Sequence, residues 1–185
     1  MLDWLIRGAQ VLDGTGADAF PADVGIKDGT IAAVGRLTDV DAAHVLDAQG
    51  RTLTPGFLDI HTHGAVGVDV NGASAEDLET ISRFMAGNGT TAWLASVLTD
   101  TQDQTEWCIR QMREHTAQPS AGAELLGIHL EGPFLAKEYK GAMPEHLLQA
   151  NNLPLVRRYQ DLAAGKIRYI TLSPELPGAV EMIPA

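Results

Sequence analysis

Residues 55–64 read PGFLDIHTHG: a Pro-Gly break, a short apolar run, and two histidines one residue apart before another glycine. The run is too short for a helix and reads as a strand. Side chains alternate along a strand, so Phe57, Asp59, His61 and His63 are expected on one face. Leu58 and Ile60 then point to the other face, where helices would cover them. In a parallel βα barrel, functional groups gather at the carboxyl ends of strands. Two neutral imidazoles placed there can ligate one divalent metal. An H-x-H pair by itself equally fits a polar strand end with no ligand. The flanking glycines favour a site, because they give the backbone room to bend around it. Asp59 is either the hydrogen-bond partner that ligating imidazoles need or the cap of a neighbouring loop.

The rhythm differs on the two sides of this stretch. Residues 1–53 hold short alternating runs, WLIRGAQVLD, ADVGIKDGTIAAVG and HVLDAQGRTLTPG, with Asp28-Gly29 as a hairpin signal. They are expected to form a small all-β domain. From residue 54 onward, strands alternate with helical patterns. Residues 74–89 carry Leu78, Ile81 and Met85 on one face, Ser74 as N-cap, and Gly87 or Gly89 as the stop. TTAWLASVL (90–98) reads as a buried strand, and 101–115 as a second helix in which Thr101 and Gln104 form a capping box. ELLGIHLEG (124–132) is a third strand and IRYITLSPE (167–175) a fourth. Helical pieces are expected in 145–164, with Pro154 in a first turn, and again at the start of GAVEMIPA. Strand–helix alternation predicts an α/β fold with a parallel sheet.

The third strand carries a second constellation. Counting by two from Gly127 puts His129 and Glu131 on one face, with Glu131 where Gly132-Pro133 stops the strand. A carboxylate at that height can reach a metal held by His61 and His63. The plainer alternative is a loop cap, or an ion pair with Lys137 or Lys140. His129 sits lower on the strand and reads as a buried, hydrogen-bonded histidine. His44 and His115 lie in polar stretches and are expected in solvent, while His146 is ambiguous. Trp93, Trp107, Met85 and Cys108 read as packing residues.

Composition excludes several classes. The net charge is -11 over 185 residues, which argues against a nucleic-acid binder. Cys108 is the only cysteine, so neither an intrachain disulfide nor a cysteine metal cluster is possible. The opening MLDWLIRGAQVLDG lacks the apolar core of a signal peptide or membrane span. A cytoplasmic protein without membrane or nucleic-acid partners is expected.

PGFLDIHTHG, GNGTTAWLASVLTD, LLGIHLEGPFLAKEYKGAMP and YITLSPELPGA, in this order, resemble the N-acetylglucosamine-6-phosphate deacetylases of the amidohydrolase superfamily. The resemblance runs over the whole chain; HLEGPF followed by KGA is its most specific part. It implies a TIM (β/α)₈-type barrel carrying a small β-sandwich, and metal-dependent hydrolysis of an N-acetyl group from a phosphorylated amino sugar. It implies Glu131, His61 and His63 as metal ligands. Zinc is the expected metal, with iron, manganese or cobalt also suited to such donors. It places two further histidine ligands and the general-base aspartate in the family's second half, so no catalytic base is expected in this chain. Relatives that use a carboxylated lysine carry it at the end of a central strand, and ITLSPE offers none. Ala142 and Met143 fall on the substrate-binding loop. The family often reads KGAH where this chain reads KGAM, and a thioether cannot donate to a phosphate or a sugar hydroxyl.

A complete barrel takes about 250 residues. Only about 130 residues follow the β region here. The expected organisation is therefore an incomplete sandwich over 1–53 and the first part of the barrel over 54–185. Such a chain is expected to be a truncated or split portion, inactive alone, and to self-associate or pair with a missing half. Two alternatives stand beside the sugar-phosphate deacetylase. One is another amidohydrolase, such as an N-acyl-amino-acid deacylase; the other is a non-catalytic half-barrel subunit or scaffold.

Overall fold

The computed structural model describes residues 1–183 as two compact units, Met1–Pro55 and a larger one beginning at Gly56. The first holds β1 (Leu2–Val11), β2 (Phe20–Lys27), β3 (Thr30–Gly35), β4 (Ala42–Asp47) and β5 (Thr52–Leu53). They form one mixed sheet in the order β3-β2-β1-β4, with β5 also on β1. β1, β2 and β3 pair antiparallel, whereas β4 and β5 run parallel to β1. The hairpin at Asp28-Gly29 is present, with φ of 51° and 73°, the left-handed pair that a two-residue turn requires. Small side chains make its core: Ala9, Val11, Ala22, Val24 and Ala48.

The larger unit holds β6 (Phe57–Thr62), β7 (Gly64–Ala65), β8 (Val68–Asp69), α1 (Ala75–Gly87), β9 (Thr90–Leu98), α2 (Gln102–Thr116), β10 (Glu124–Glu131), α3 (Leu153–Leu162), β11 (Ile167–Thr171) and α4 (Ala179–Met182). The four long strands form one sheet in the order β11-β10-β9-β6, and every neighbouring pair is parallel. This is the expected α/β arrangement, part of a (β/α)₈-type barrel following a small β unit.

Alternation along the strands separates two faces of the sheet. Trp93, Ala95 and Val97 of β9 and Ile128 and Leu130 of β10 share a core with Leu78, Ile81 and Met85 of α1. Cys108, Ile109 and Met112 of α2, and Leu155 and Tyr159 of α3, complete it. The other positions of these strands, Ser96 of β9 and His129 and Glu131 of β10, are left for the opposite face, together with Thr171 of β11.

Helix ends follow their chemistry. Ser74 and Asp77 form a reciprocal capping box on α1. On α2 the expected box is half made: Thr101 Oγ1 accepts from Gln104 N. The other half is absent: Thr101 N, which a full box would give to the Gln104 oxygen, donates to Asp100 Oδ1 at 2.7 Å, and the Gln104 amide nitrogen donates to Asn71 O at 2.6 Å. Pro154 sits in the first turn of α3, behind the Asn152 cap.

Two expectations change. Leu58 and Ile60 are not covered by helices; they are 58% and 51% exposed, because β6 is an outer strand of its sheet. His115 is buried, not solvated. It follows Cys108 and Met112 on the inward face of α2 at helical spacing, and burial lowers its imidazole pKa. The segment after the histidines forms the small antiparallel β7-β8 hairpin. Among the described residues no helix is long and apolar enough to cross a membrane.

Candidate metal centre

Three side chains converge at the carboxyl ends of two strands. His61 is the penultimate residue of β6, His63 lies just beyond it, and Glu131 closes β10. His61 Nε2 and His63 Nε2 are 3.1 Å apart. Glu131 Oε2 lies 3.0 Å from His63 Nε2 and 3.5 Å from His61 Nε2. These separations bracket the value of about 3.3 Å between donors around a tetrahedral metal with bonds of about 2.0–2.1 Å.

Local backbone chemistry explains the convergence. Gly64 takes φ of 136°, and any Cβ there would collide with the carbonyl of Val68 across the β7-β8 hairpin. That glycine lets the chain fold back directly behind His63, and His63 O accepts from Val70 N at 2.9 Å. Gly132 takes φ of 84° and would place a Cβ against Thr99 Oγ1. Thr99 Oγ1 in turn donates to Glu131 O at 2.8 Å, anchoring the backbone that carries the carboxylate.

The hydrogen bonds set the donor character. His63 Nδ1 is 3.1 Å from Ser96 O. A carbonyl only accepts, so Nδ1 carries the proton and Nε2 presents its lone pair to the cluster. Glu131 Oε2 is buried and has no hydrogen-bond donor. The lone pairs of His63 Nε2 and Glu131 Oε2 thus face each other at 3.0 Å, with His61 Nε2 3.1 Å from His63 Nε2, which is unfavourable without a cation. One proton serves one such pair; one metal serves all three. The residues present fit a divalent ion.

The other candidates are distributed as follows. Lys137 pairs with Glu145, and Lys140 donates to Met143 O, so neither takes Glu131. Asp59 Oδ1 accepts from the backbone N of His61, so it braces its own strand end. His129 is fully buried, with Nδ1 2.8 Å from Ser96 Oγ and Nε2 2.8 Å from Thr171 Oγ1. Burial, the first cause, and the neighbouring His61 push its imidazole down to about 4. Ala142 is exposed while Met143 is buried. His44 and His146 are exposed. Cys108 is buried, and its thiol is pushed up to about 11, consistent with an inert packing role. Sequence reading passed over Ser96 and Thr171. The signal for Ser96 was a lone hydroxyl inside the apolar run AWLASVL.

Comparison with known proteins agrees with this geometry. Residues 52–180 match the model of the amidohydrolase family. The N-acetylglucosamine-6-phosphate deacetylase of Lysinibacillus sphaericus is 34% identical over 182 residues, covering 98% of this chain and 47% of that protein. That of Bacillus subtilis is 35% identical over 165 residues, covering 86% and 42%. The crystal structure of the Pasteurella multocida N-acetylglucosamine-6-phosphate deacetylase superposes with a TM-score of 0.84 at 29% identity, covering 98% of this chain and 47% of that one. The chain spans about half the length of the curated relatives it matches. Parallel strands with helices on one face, a histidine–histidine–glutamate cluster at their carboxyl ends, and a family match over residues 52–180 lead to one assignment: the chain belongs to the amidohydrolase family.

Proposed function

We propose that this chain carries the metal-binding part of a hydrolase that removes the N-acetyl group from N-acetylglucosamine 6-phosphate. His61, His63 and Glu131 are the ligands in this reading. The observation that carries it is the triangle of lone-pair donors around one point, with the buried Glu131 Oε2 left without a hydrogen-bond donor. The similarity to sugar-phosphate deacetylases over almost the whole chain supports the substrate class. A divalent ion, zinc foremost and iron, manganese or cobalt otherwise, supplies a Lewis acid and lowers the pKa of bound water.

The chain's own residues do the rest. Ser96 O holds His63 in the tautomer that exposes Nε2. Glu131 contributes the negative charge from a braced strand end. The 137–147 loop is placed at the substrate. Lys140 Nζ bonds Met143 O at 2.8 Å and Met143 N bonds Lys140 O at 3.1 Å. Both backbone groups of Met143 are thereby engaged, so it shapes the loop and the exposed Ala142 meets the sugar. Residues 1–53 are read as the small β-sandwich domain and 54–185 as barrel. The outer strands β6 and β11 are placed to pair with further strands, either of a second copy or of a complementary half. A phosphorylated substrate does not cross bilayers unaided, which suits the cytoplasm.

Elemental mass spectrometry on the purified chain tests the ligands. Wild type is expected to carry stoichiometric metal, and the His61→Ala/His63→Ala and Glu131→Ala variants none. A metal-free wild type sinks the assignment. Acetate release by a barrel that joins this chain to the complementary half is then compared for N-acetylglucosamine 6-phosphate, its galacto epimer, the unphosphorylated sugar and an N-acyl amino acid. Hydrolysis of the N-acyl amino acid in preference to the phosphorylated sugars would replace the substrate.

A further inference from the structure

The face of the sheet that bears the metal cluster also carries a polar chain beneath it. Ser96 of β9, His129 of β10 and Thr171 of β11 lie on three adjacent strands. Ser96 Oγ is 2.8 Å from His129 Nδ1, and Thr171 Oγ1 is 2.8 Å from His129 Nε2. Register explains it: His129 pairs with Ser96 on one side and with Tyr169 on the other. The Tyr169 ring stacks on the His129 ring at 4.2 Å and 20°. His129 is therefore held by two hydrogen bonds and one stacked ring, with both nitrogens occupied and neither free to ligate.

The same imidazole touches the metal cluster. The His61 and His129 rings meet in a T-shaped contact, with centroids 4.7 Å apart at 81°. Ser96 has a second role, since its carbonyl accepts from His63 Nδ1 at 3.1 Å. One residue thus fixes His63 through its backbone and His129 through its side chain. His61 needs such support most. Its side chain is 47% exposed, its strand is outermost, and neither of its ring nitrogens bonds a carbonyl or carboxylate donor-fashion among the described residues.

We propose that His129 is a positioning residue for the metal centre. Clamped by Ser96, Thr171 and Tyr169, its ring forms the wall against which His61 adopts the ligating rotamer. The inference rests on His61, His63 and Glu131 being the ligands. Loss of a residue that orients a ligand typically costs ~10–100-fold in metal affinity. A packing residue that only stabilises the fold would lower melting temperature without changing the ligand field of metal bound to the folded protein.

Cobalt(II) added to the metal-free full chain reads both. Its visible absorption reports ligand number and symmetry, and titration gives the affinity. Wild type, His129→Asn and Ser96→Ala are compared at matched folded fraction by far-ultraviolet circular dichroism. Asn at 129 keeps a partner for Ser96 but removes the ring beside His61. It is expected to weaken cobalt binding ~10–100-fold and to alter the visible bands. Ser96→Ala keeps the carbonyl and loses only the hydroxyl, and is expected to show the same change to a smaller extent. Folded variants with wild-type affinity and spectrum would overturn the inference while leaving the ligands intact. If His129→Asn does not fold, an unchanged cobalt spectrum in Ser96→Ala overturns it equally. A wild type that binds no cobalt fails the ligand assignment itself, a distinct result.

Discussion

β6 and β10 end in the same place and contribute to the same cluster, yet they are opposite kinds of strand. β10 lies between two parallel neighbours, and Gly127, Ile128, His129 and Leu130 are all buried. β6 is outermost, and Phe57, Leu58, Ile60 and His61 are exposed. The carboxylate is therefore delivered by a strand that the core fixes, and the imidazoles by one that the core does not. Ligand geometry on the β10 side comes with folding. On the β6 side it depends on local devices: the Gly64 reversal, the His63–Ser96 bond and the His129 ring.

The sharpest break of this comparison is at the ligands. Glu131→Gln keeps the shape but removes the charge, and is expected to abolish stoichiometric zinc as read by elemental mass spectrometry. His63→Ala is expected to cost more affinity than His61→Ala in a zinc titration. His63 alone is held in a fixed tautomer by a carbonyl. Equal losses would show that the Ser96 contact does not matter.

The stability contrast comes next. Leu130 is 2% exposed and Leu58 is 58% exposed. Leu130→Ala is expected to cost ~2–5 kcal/mol in urea unfolding, from lost burial and the cavity left behind. Leu58→Ala should stay within about 0.5 kcal/mol. A comparable cost at both positions would mean that β6 is covered in solution by a second copy or another chain.

A smaller effect concerns acid. Glu106 on α2 is buried and receives Gln102, Arg110 and, from α3, Arg158. The Arg158 guanidinium, first among these, holds its carboxyl down at about 2. A folded pKa below the unfolded value, about 4.3, gives stability that is fully present above pH ~4.3 and is lost as pH falls toward 2. Glu106→Gln is expected to lack that component, so its stability should fall less steeply than wild type across this window. Asp77 and Glu79 are lowered as well, so the readout is the difference between the two proteins. Parallel acid limbs would show that the cluster does not hold α3 to α2.

The smallest expected change is in dynamics. Zinc should slow amide exchange in β6 and the β7-β8 hairpin more than in β10, because β10 is already protected by its neighbours. Equal protection on both strands would remove the distinction drawn between them.

Much of this was readable one residue at a time. Period-two alternation put His129 and Glu131 on one face, and the strand–helix rhythm gave the parallel sheet. Asp28-Gly29, Ser74 and Pro154 marked their turns and helix starts because those conformations demand those side chains. The H-x-H spacing and Glu131 at its strand end left a carboxylate–imidazole centre as one reading beside a plain loop cap, and the resemblance to the amidohydrolases, with no lysine at the end of β11, favoured it. These are local properties, written in spacing and residue type.

What the tertiary structure decided has a different origin. Whether Leu58 and Ile60 are covered depends on strand order, which no local pattern states. Gln104 leaves its capping box open because its amide nitrogen is held by Asn71 O, distant in sequence, while Thr101 N donates to Asp100 Oδ1. His115 is inside because α2 turns that face toward the core. The tautomer of His63 and the clamp on His129 arise only when β9, β10 and β11 come into register. A hydrogen bond between neighbouring strands is a fact about pairing, and pairing exists only in the folded chain.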